Sequence, residues 1–509
     1  MNKIVSKEDF EKIRDKLKAE GKTVAMCHGV FDLVHLGHII HLKKAKEIAD
    51  LLVVSITAAK YVRKGEGRPY FSDDDRRQVL SSLEFVDYVL LSEGYTADDV
   101  IRTVRPDFYV KGSEYKVQED DVTEEIQNEV SLVEEFGGKV YYTEGEVFSS
   151  TNLINRETEL LSDEVKAYIP ELIGDFDFSD IKKLSESMKK LKVLVVGDVI
   201  IDEYNFCKIN GLMSKDDGYS TKFLHSERYL GGSLAVAGHL SAFSENVILA
   251  SIMGTESDIH SHVLNELGGR LKMDLIFSDE RETVVKRRFV VQNVRRKELR
   301  KIFSVNNLPE PMTYDERSRA LLLKKLKAQV KEADLVVLSD FGHGLVDFSV
   351  MELLQKEAKF LAVNCQTNSS NLGKNLMSKY SRADVFTMNE KELELARPAY
   401  QFEAKSALED MAKHLGGSGL LTVGAAGAIG YYEGEFYECP AFTLNITDTV
   451  GAGDAFFSLC ALAAALKAPM KLTTFMGSVA GAIASNIIGN KEFISRVNYL
   501  KFAQTLMNY

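Results

Sequence analysis

The chain has 509 residues, 45% apolar and 27% charged, with a net charge of −12. It is too long for one ordinary core, and length alone suggests about three domains. The acidic balance argues against nonspecific binding to nucleic acid or an anionic membrane and leaves nucleotide binding to local basic clusters. Cys27, Cys207, Cys365, Cys439 and Cys460 show no C-x-x-C spacing, which argues against a disulfide framework or structural zinc. Met1–Lys22 has no signal-like apolar segment, and no apolar run approaches a bilayer span, so a cytoplasmic protein without a membrane partner is expected.

In chain order, Lys7–Glu20 reads as a helix and Thr23–Cys27 as a buried strand, followed by the loop His28–His38. His35 and His38 lie three apart at the start of a helix running through Lys46, on one face near its positive end. Two histidines without a third ligand make a poor zinc site, whereas donors clustered there suit a phosphate under attack; the alternative is two surface histidines capping the helix. Lys64-Gly65-Glu66-Gly67-Arg68-Pro69 supplies cations in a loop able to wrap a triphosphate, and Asp73–Arg77, with Arg76, opens a helix. Lys111 follows the strand Phe108–Val110. Ser149, Ser150 and Thr151 place hydroxyls at a helix start, as a cap or as a phosphate site.

This ordered set resembles the nucleotidyltransferases marked by H-x-G-H, the cytidylyltransferase-like enzymes. Its K-G-x-G-R-P and V-K-G-x-x-Y segments look most like the adenylyltransferase half of bifunctional heptose kinase/adenylyltransferases. The resemblance implies a Rossmann-like domain over 1–156, with His35 and His38 stabilising the transition state of nucleotidyl transfer. Gly29, Phe31, Asp32, Lys64, Arg76, Lys111, Ser149, Ser150 and Thr151 would bind the nucleotide. His28 and the arginine-free lead-in Thr143–Phe148 depart from such relatives, and ATP and CTP both stay open.

Residues 157–190, rich in Glu, Asp and Lys and containing Pro170, read as a linker and leading helix. Val193–Val196 then reads as a buried parallel strand delivering Gly197–Asp202 to the carboxyl edge of a sheet, where Asp202 is a sugar-hydroxyl acceptor or a turn carboxylate. Gly231 and Gly232 open a helix and permit close approach of a sugar. Thr283–Val291 suits a half-exposed lid strand, with Lys286 or Arg288 toward a phosphate. Asn389 and Glu392 form N-x-x-E, either a helix capping box or a water-mediated Mg2+ site. Thr422, Gly424 and Gly427 follow a further strand and suit a nucleotide phosphate. Asp448-Thr449-Val450-Gly451-Ala452-Gly453-Asp454, directly before an apolar helix, reads as an anion site with a carboxylate at its rim, or as a glycine turn with Asp454 capping a buried helix.

The last segment resembles the signature of ribokinase-like (PfkB) sugar kinases. The resemblance implies a second α/β domain over 191–509 with a small β lid. Asp454 would be the base, Gly451, Ala452 and Gly453 the anion hole, Asn389 and Glu392 the holders of Mg2+ near ATP, and Asp202, Gly231 and Gly232 the sugar contacts. Ala235 stands where the family usually has a substrate-contacting asparagine, and Asn364-Cys365-Gln366 where relatives often have D-P-K, which points to an altered substrate. The expected protein is a bifunctional enzyme of nucleotide-sugar synthesis. It would phosphorylate a heptose-like sugar with ATP and join a sugar phosphate to a nucleotide from ATP or CTP, releasing pyrophosphate, with the halves reversed relative to the heptose enzymes. The alternative is a CTP-dependent enzyme acting on a polyol phosphate or small phospho-acid. Expected partners are these small molecules and, through the lid, a second copy of the chain.

Overall fold

The computed structural model describes residues 3–64, 67–112, 125–143, 161–293, 298–309, 314–398, 401–443 and 446–508. Ser149, Ser150 and Thr151 lie outside them. The chain forms two compact units, Met1–Leu161 with Leu500–Tyr509, and Ser162–Tyr499.

Among the described residues, the first unit holds a five-stranded parallel sheet of β1 (Val24–Gly29), β2 (Leu51–Thr57), β3 (Tyr88–Ser92), β4 (Phe108–Gly112) and β5 (Lys139–Thr143), in the order β3-β2-β1-β4-β5. Alternate residues of β1 enter separate cores: Val24 and Met26 pack with Phe10 and Tyr109, while Ala25 and Cys27 pack with Leu42 and Val54. Burial on both faces explains why the strand reads as a continuous apolar run. β1 feeds the loop that leads to the helix Leu36–Glu47, so that loop lies at the sheet's carboxyl edge.

The second unit has a larger sheet, nine-stranded among the described residues. Its order is β10 (Lys272–Ser278), β9 (Asn246–Gly254), β6 (Lys192–Gly197), β13 (Leu335–Asp340), β14 (Leu361–Cys365), β15 (Val385–Asn389), β16 (Ser418–Thr422), β17 (Ala428–Tyr432) and β18 (Glu435–Cys439). β10 through β16 run parallel, and β17 and β18 close one edge as an antiparallel hairpin. A separate four-stranded sheet contains β12 (Glu298–Asn307), β11 (Val284–Asn293), β7 (Val199–Leu212) and β8 (Tyr219–Gly232) in that order.

The chain crosses from one sheet to the other at Gly197–Asp198. A Cβ on Gly197 would lie 2.1 Å from the Ser339 carbonyl oxygen, so only glycine allows β6 and β13 to approach there. Buried Asp198 accepts the backbone N–H groups of Phe341, His343 and Leu345, tying the loop after β13 to the crossing point. Asp202 is therefore carried by a long strand of the smaller sheet, where the sequence suggests the loop after β6. Residues 163–175, within the expected linker, are helical: Ser162 caps the helix, and Val165, Tyr168, Ile169 and Leu172 bury one face despite Pro170. All five cysteines are free and buried. Among the described residues no helix is long and apolar enough to cross a membrane.

Candidate active sites

In the second unit, a cavity of about 340 Å3 lies between the carboxyl ends of β14, β15 and β16 and the strands β7 and β11. Asp454 lies in the first turn of the helix Ala452–Ala465, whose N-cap Gly451 has φ +88°. A Cβ on Gly451 would lie 2.1 Å from Asn490 Oδ1, so conformation and space both demand glycine. Gly451, Gly453 and Asp454 all line the cavity, and a Cβ on Gly453 would meet nothing within 4 Å. First-turn N–H groups lack intrahelical acceptors, which suits this helix start to an anion. Ala452 is not a lining residue, and its N–H points to the Thr449 carbonyl at 3.4 Å.

Asp454 is 8% exposed, and its Oδ1 accepts a 3.0 Å hydrogen bond from Gln366 Nε2. Burial, then the charge of Asp202, push its pKa up to about 7, with the Gln366 bond acting the other way. A carboxylate that ionises near neutrality is well matched to taking a proton from an alcohol. Asp202 is paired with Arg288, and Lys286 lies opposite it in the β7–β11 register. Both basic candidates of β11 line the cavity. Burial lowers the Lys286 pKa, against the charge of Asp202, and its ammonium lies 5.5 Å from the Phe341 ring centroid. Gly232 lines the cavity, whereas Gly231 does not: a Cβ there would lie 2.6 Å from Asp202 Oδ2, so this glycine makes room for the carboxylate.

The first carboxylate of the glycine segment fixes its position. Buried Asp448 accepts from Tyr204 (2.7 Å), from the N–H groups of Val450 and Gly489, and from Lys301 (3.0 Å). Burial raises its pKa, but Lys301 and Tyr204 outweigh it and hold the group below the usual carboxylate range.

At the other end, Asn389 and Glu392 line the cavity and also form a reciprocal capping box. Glu392 accepts the N–H groups of Thr367 and Asn389, and burial lifts its pKa to about 7 against those two bonds. Thr422 is a lining residue; Gly424 and Gly427 are not. Gly427 answers to packing, because a Cβ would lie 2.1 Å from the Cys439 carbonyl oxygen and its φ is +104°. Thr387 also lines the cavity without having been singled out, and Gln366, noted only as part of the segment that replaces D-P-K, lines it too. Strand alternation carries the missed signal: Thr387 shares a face with Asn389, and Gln366 with Asn364.

In the first unit, His35 is the N-cap of the helix Leu36–Glu47, its Nδ1 accepting from the Gly37 N–H at 3.1 Å. The His35 and His38 rings stack with centroids 4.0 Å apart, and Phe31, at φ +48°, lies 5.2 Å from His38. A Cβ on Gly29 would lie 3.3 Å from the Phe31 ring. Burial lowers both imidazole pKa values, that of His38 to about 3 with help from His35, His41 and Lys64. At neutral pH the pair therefore offers neutral N–H donors.

Asp32 organises the cationic loop by accepting from the N–H groups of Tyr70 and Phe71 and pairing with Arg68 at 3.7 Å. Burial, then Arg68, pull the Lys64 pKa down to about 8. Lys111 pairs with Glu129 at 2.8 Å. Arg76, expected beside a phosphate, has a fully buried side chain that donates to the carbonyls of Val30 and Thr57 and to Asp73. It braces the loop after β1 and presents no open guanidinium face. His28 and His41 enter here unpredicted: His28 lies 2.8 Å from Ser55 Oγ, and His41 2.8 Å from Thr143 Oγ1.

Comparison with known proteins matches residues 26–156 to the cytidylyltransferase-like family and residues 248–490 to the pfkB family of carbohydrate kinases. The chain is 37% identical over 154 residues to the bifunctional protein HldE of Aliarcobacter butzleri, covering 30% of each chain. It is 41% identical over 134 residues to the HldE of a Nitratiruptor species, covering 26% of this chain and 29% of that one. The chain thus matches less than a third of the length of these relatives. The structure of phosphofructokinase-2 from Escherichia coli in complex with substrates and products has a TM-score of 0.50 and 14% identity, covering 61% of this chain and 98% of that one; the likeness is one of fold. The chain carries, in this order, a cytidylyltransferase-like domain and a pfkB-family carbohydrate kinase domain.

Proposed function

We propose that this protein is a bifunctional enzyme of nucleotide-sugar synthesis, with a sugar kinase in the second unit and a nucleotidyltransferase in the first. The observation that carries the kinase reading is the convergence of Asp454, the glycine helix start, Asp202 and the Asn389–Glu392 pair on one cavity. A sugar hydroxyl held by Asp202 gives its proton to Asp454, while the amides of Gly451 and Gly453 hold charge on the transferred phosphoryl group of ATP. Magnesium fits as a water-mediated guest of Asn389 and Glu392. Each Glu392 oxygen that receives a backbone N–H keeps a lone pair for water, and no cluster of three His, Cys, Asp or Glu ligands occurs among the described residues. When bound, the ion neutralises phosphate charge.

In the first unit, His35 and His38 donate to a nucleotide α-phosphate attacked by a sugar phosphate, and pyrophosphate leaves. Lys64 and Lys111 are the cationic partners; Ser149, Ser150 and Thr151 complete the proposed phosphate contacts. The sugar is heptose-like, the donor nucleotide ATP or CTP, and the setting cytoplasmic. A second copy of the chain docks on the smaller sheet, a reading supported by exposed Leu212, Phe223, Phe303 and Val305.

The test measures ADP release across free sugars and pyrophosphate release with ATP or CTP across sugar phosphates. Asp454→Asn abolishes only the first signal and His35→Ala only the second. Loss of both signals in either variant contradicts independent sites, and pyrophosphate released only with CTP and a polyol phosphate changes the substrate assignment.

A further inference from the structure

The D-T-V-G-A-G-D segment accounts for where the Asp454 carboxylate sits but not for which of its oxygens is left to react. That is decided from another part of the sheet. Gln366 follows β14 directly, and its main chain is held on both sides: its N–H donates to the Asp340 carbonyl at 2.8 Å, and its carbonyl accepts from Asn375 Nδ2 at 3.1 Å. Alternation along the strand end turns Asn364 and Gln366 to the cavity and leaves Cys365 in the core. The backbone at 366 therefore has little freedom, and its side chain reaches Asp454 Oδ1 at 3.0 Å.

We infer that Gln366 is a positioning residue for the kinase base: its amide N–H holds Oδ1 of Asp454, leaves Oδ2 to receive the substrate proton, and stabilises the ionised carboxylate. This rests on the reading of Asp454 as the base. The physical reason is asymmetry between the two protonation states. An amide donor facing a carboxylate favours the charged form, and it does so strongly in a water-poor site with a second carboxylate, Asp202, nearby. A neutral donor has a further merit over a cation: it orients the base without depressing its proton affinity below what the alcohol requires.

The experiment titrates Asp454 directly in the full-length chain labelled with carboxyl-13C aspartate, the resonance being identified by its absence in Asp454→Asn. Gln366→Met, which keeps length and removes the donor, raises the midpoint by about 0.5 to 1. Gln366→Lys, which places a charged donor there, lowers it. In the kinase assay the acid limb of kcat/KM moves with these midpoints, so at pH 6 the Met variant falls about three- to sevenfold further below wild type than at pH 8.5. A merely structural role moves neither midpoint, or moves both in the same direction, or lowers kcat/KM equally at every pH; any of these results overturns the inference. Should the Met variant not fold, the Lys variant alone decides through the sign of its shift. If the midpoints move as stated while Asp454→Asn keeps its ADP release, the reading of Asp454 as the base fails and the hold of Gln366 on that carboxylate stands.

Discussion

Asp454 concentrates the conflict between folding and chemistry. Its folded pKa of about 7 exceeds the ordinary aspartate value of 3.8, so this group favours the folded state below about pH 4, and that contribution is lost as pH rises through about 7. The proposed role as kinase base needs the opposite form, because only the ionised carboxylate accepts a proton. Two outcomes are expected. Kinase kcat/KM rises through an acid limb near pH 7 in wild type, measured as ADP release across a pH series. Asp454→Asn lowers that rate about 100- to 10,000-fold yet raises the melting temperature more at pH 8 than at pH 6. At this scale the place of Gly451, Gly453 and Asp454 at a helix start was legible, because seven patterned residues specify a turn. Arg76 was not. Its charge and helix-start position are visible, but the carbonyls of Val30 and Thr57 that claim it are brought there only by folding. Asn389–Glu392 was ambiguous for a physical reason: one geometry both caps a helix and lines the cavity.

Among elements, the strands of the smaller sheet do more than line the cavity. Tyr204 from β7 and Lys301 from β12 meet on Asp448 and so brace the start of the glycine segment. Tyr204→Phe removes one of these bonds from a buried carboxylate, a loss of about 1–3 kcal/mol. We expect this variant and Lys301→Met to lower kcat in ADP release at saturating nucleotide, with urea midpoints shifted down in the same order; unchanged kcat in both variants would show that the brace does not serve the anion hole. The strand pattern was readable from alternation and apolar runs, including the Val284–Asn293 strand. The long excursion of β7 was hidden, since its first residues look like the loop after a parallel strand. Those first residues pair far away in sequence: Ile200 lies opposite Gly231 of β8 and Val284 of β11.

For the whole molecule, two families in tandem were legible from motif order, while the membership of Leu500–Tyr509 in the first unit was not, because no local pattern announces a long-range return of the chain. The first unit also holds His28, His38 and His41 with pKa values lowered by burial to about 4, 3 and 4. Their unfolded values are near 6.5, so the unfolded chain binds more protons between about pH 6.5 and 4, and folding stability falls as pH drops through that window. Calorimetry from pH 7.5 to 5 should therefore show the transition of the first unit moving to lower temperature. His28→Asn and His41→Asn should flatten that slope, and an unchanged slope in both would place the loss elsewhere.

The burial of every thiol has a practical corollary. Cys27 belongs to one unit and Cys207, Cys365, Cys439 and Cys460 to the other, so covalent trapping by a maleimide becomes a clock for each half separately. After brief exposure in partial denaturant, peptide mass spectrometry would reveal which half opens first, without any engineered probe.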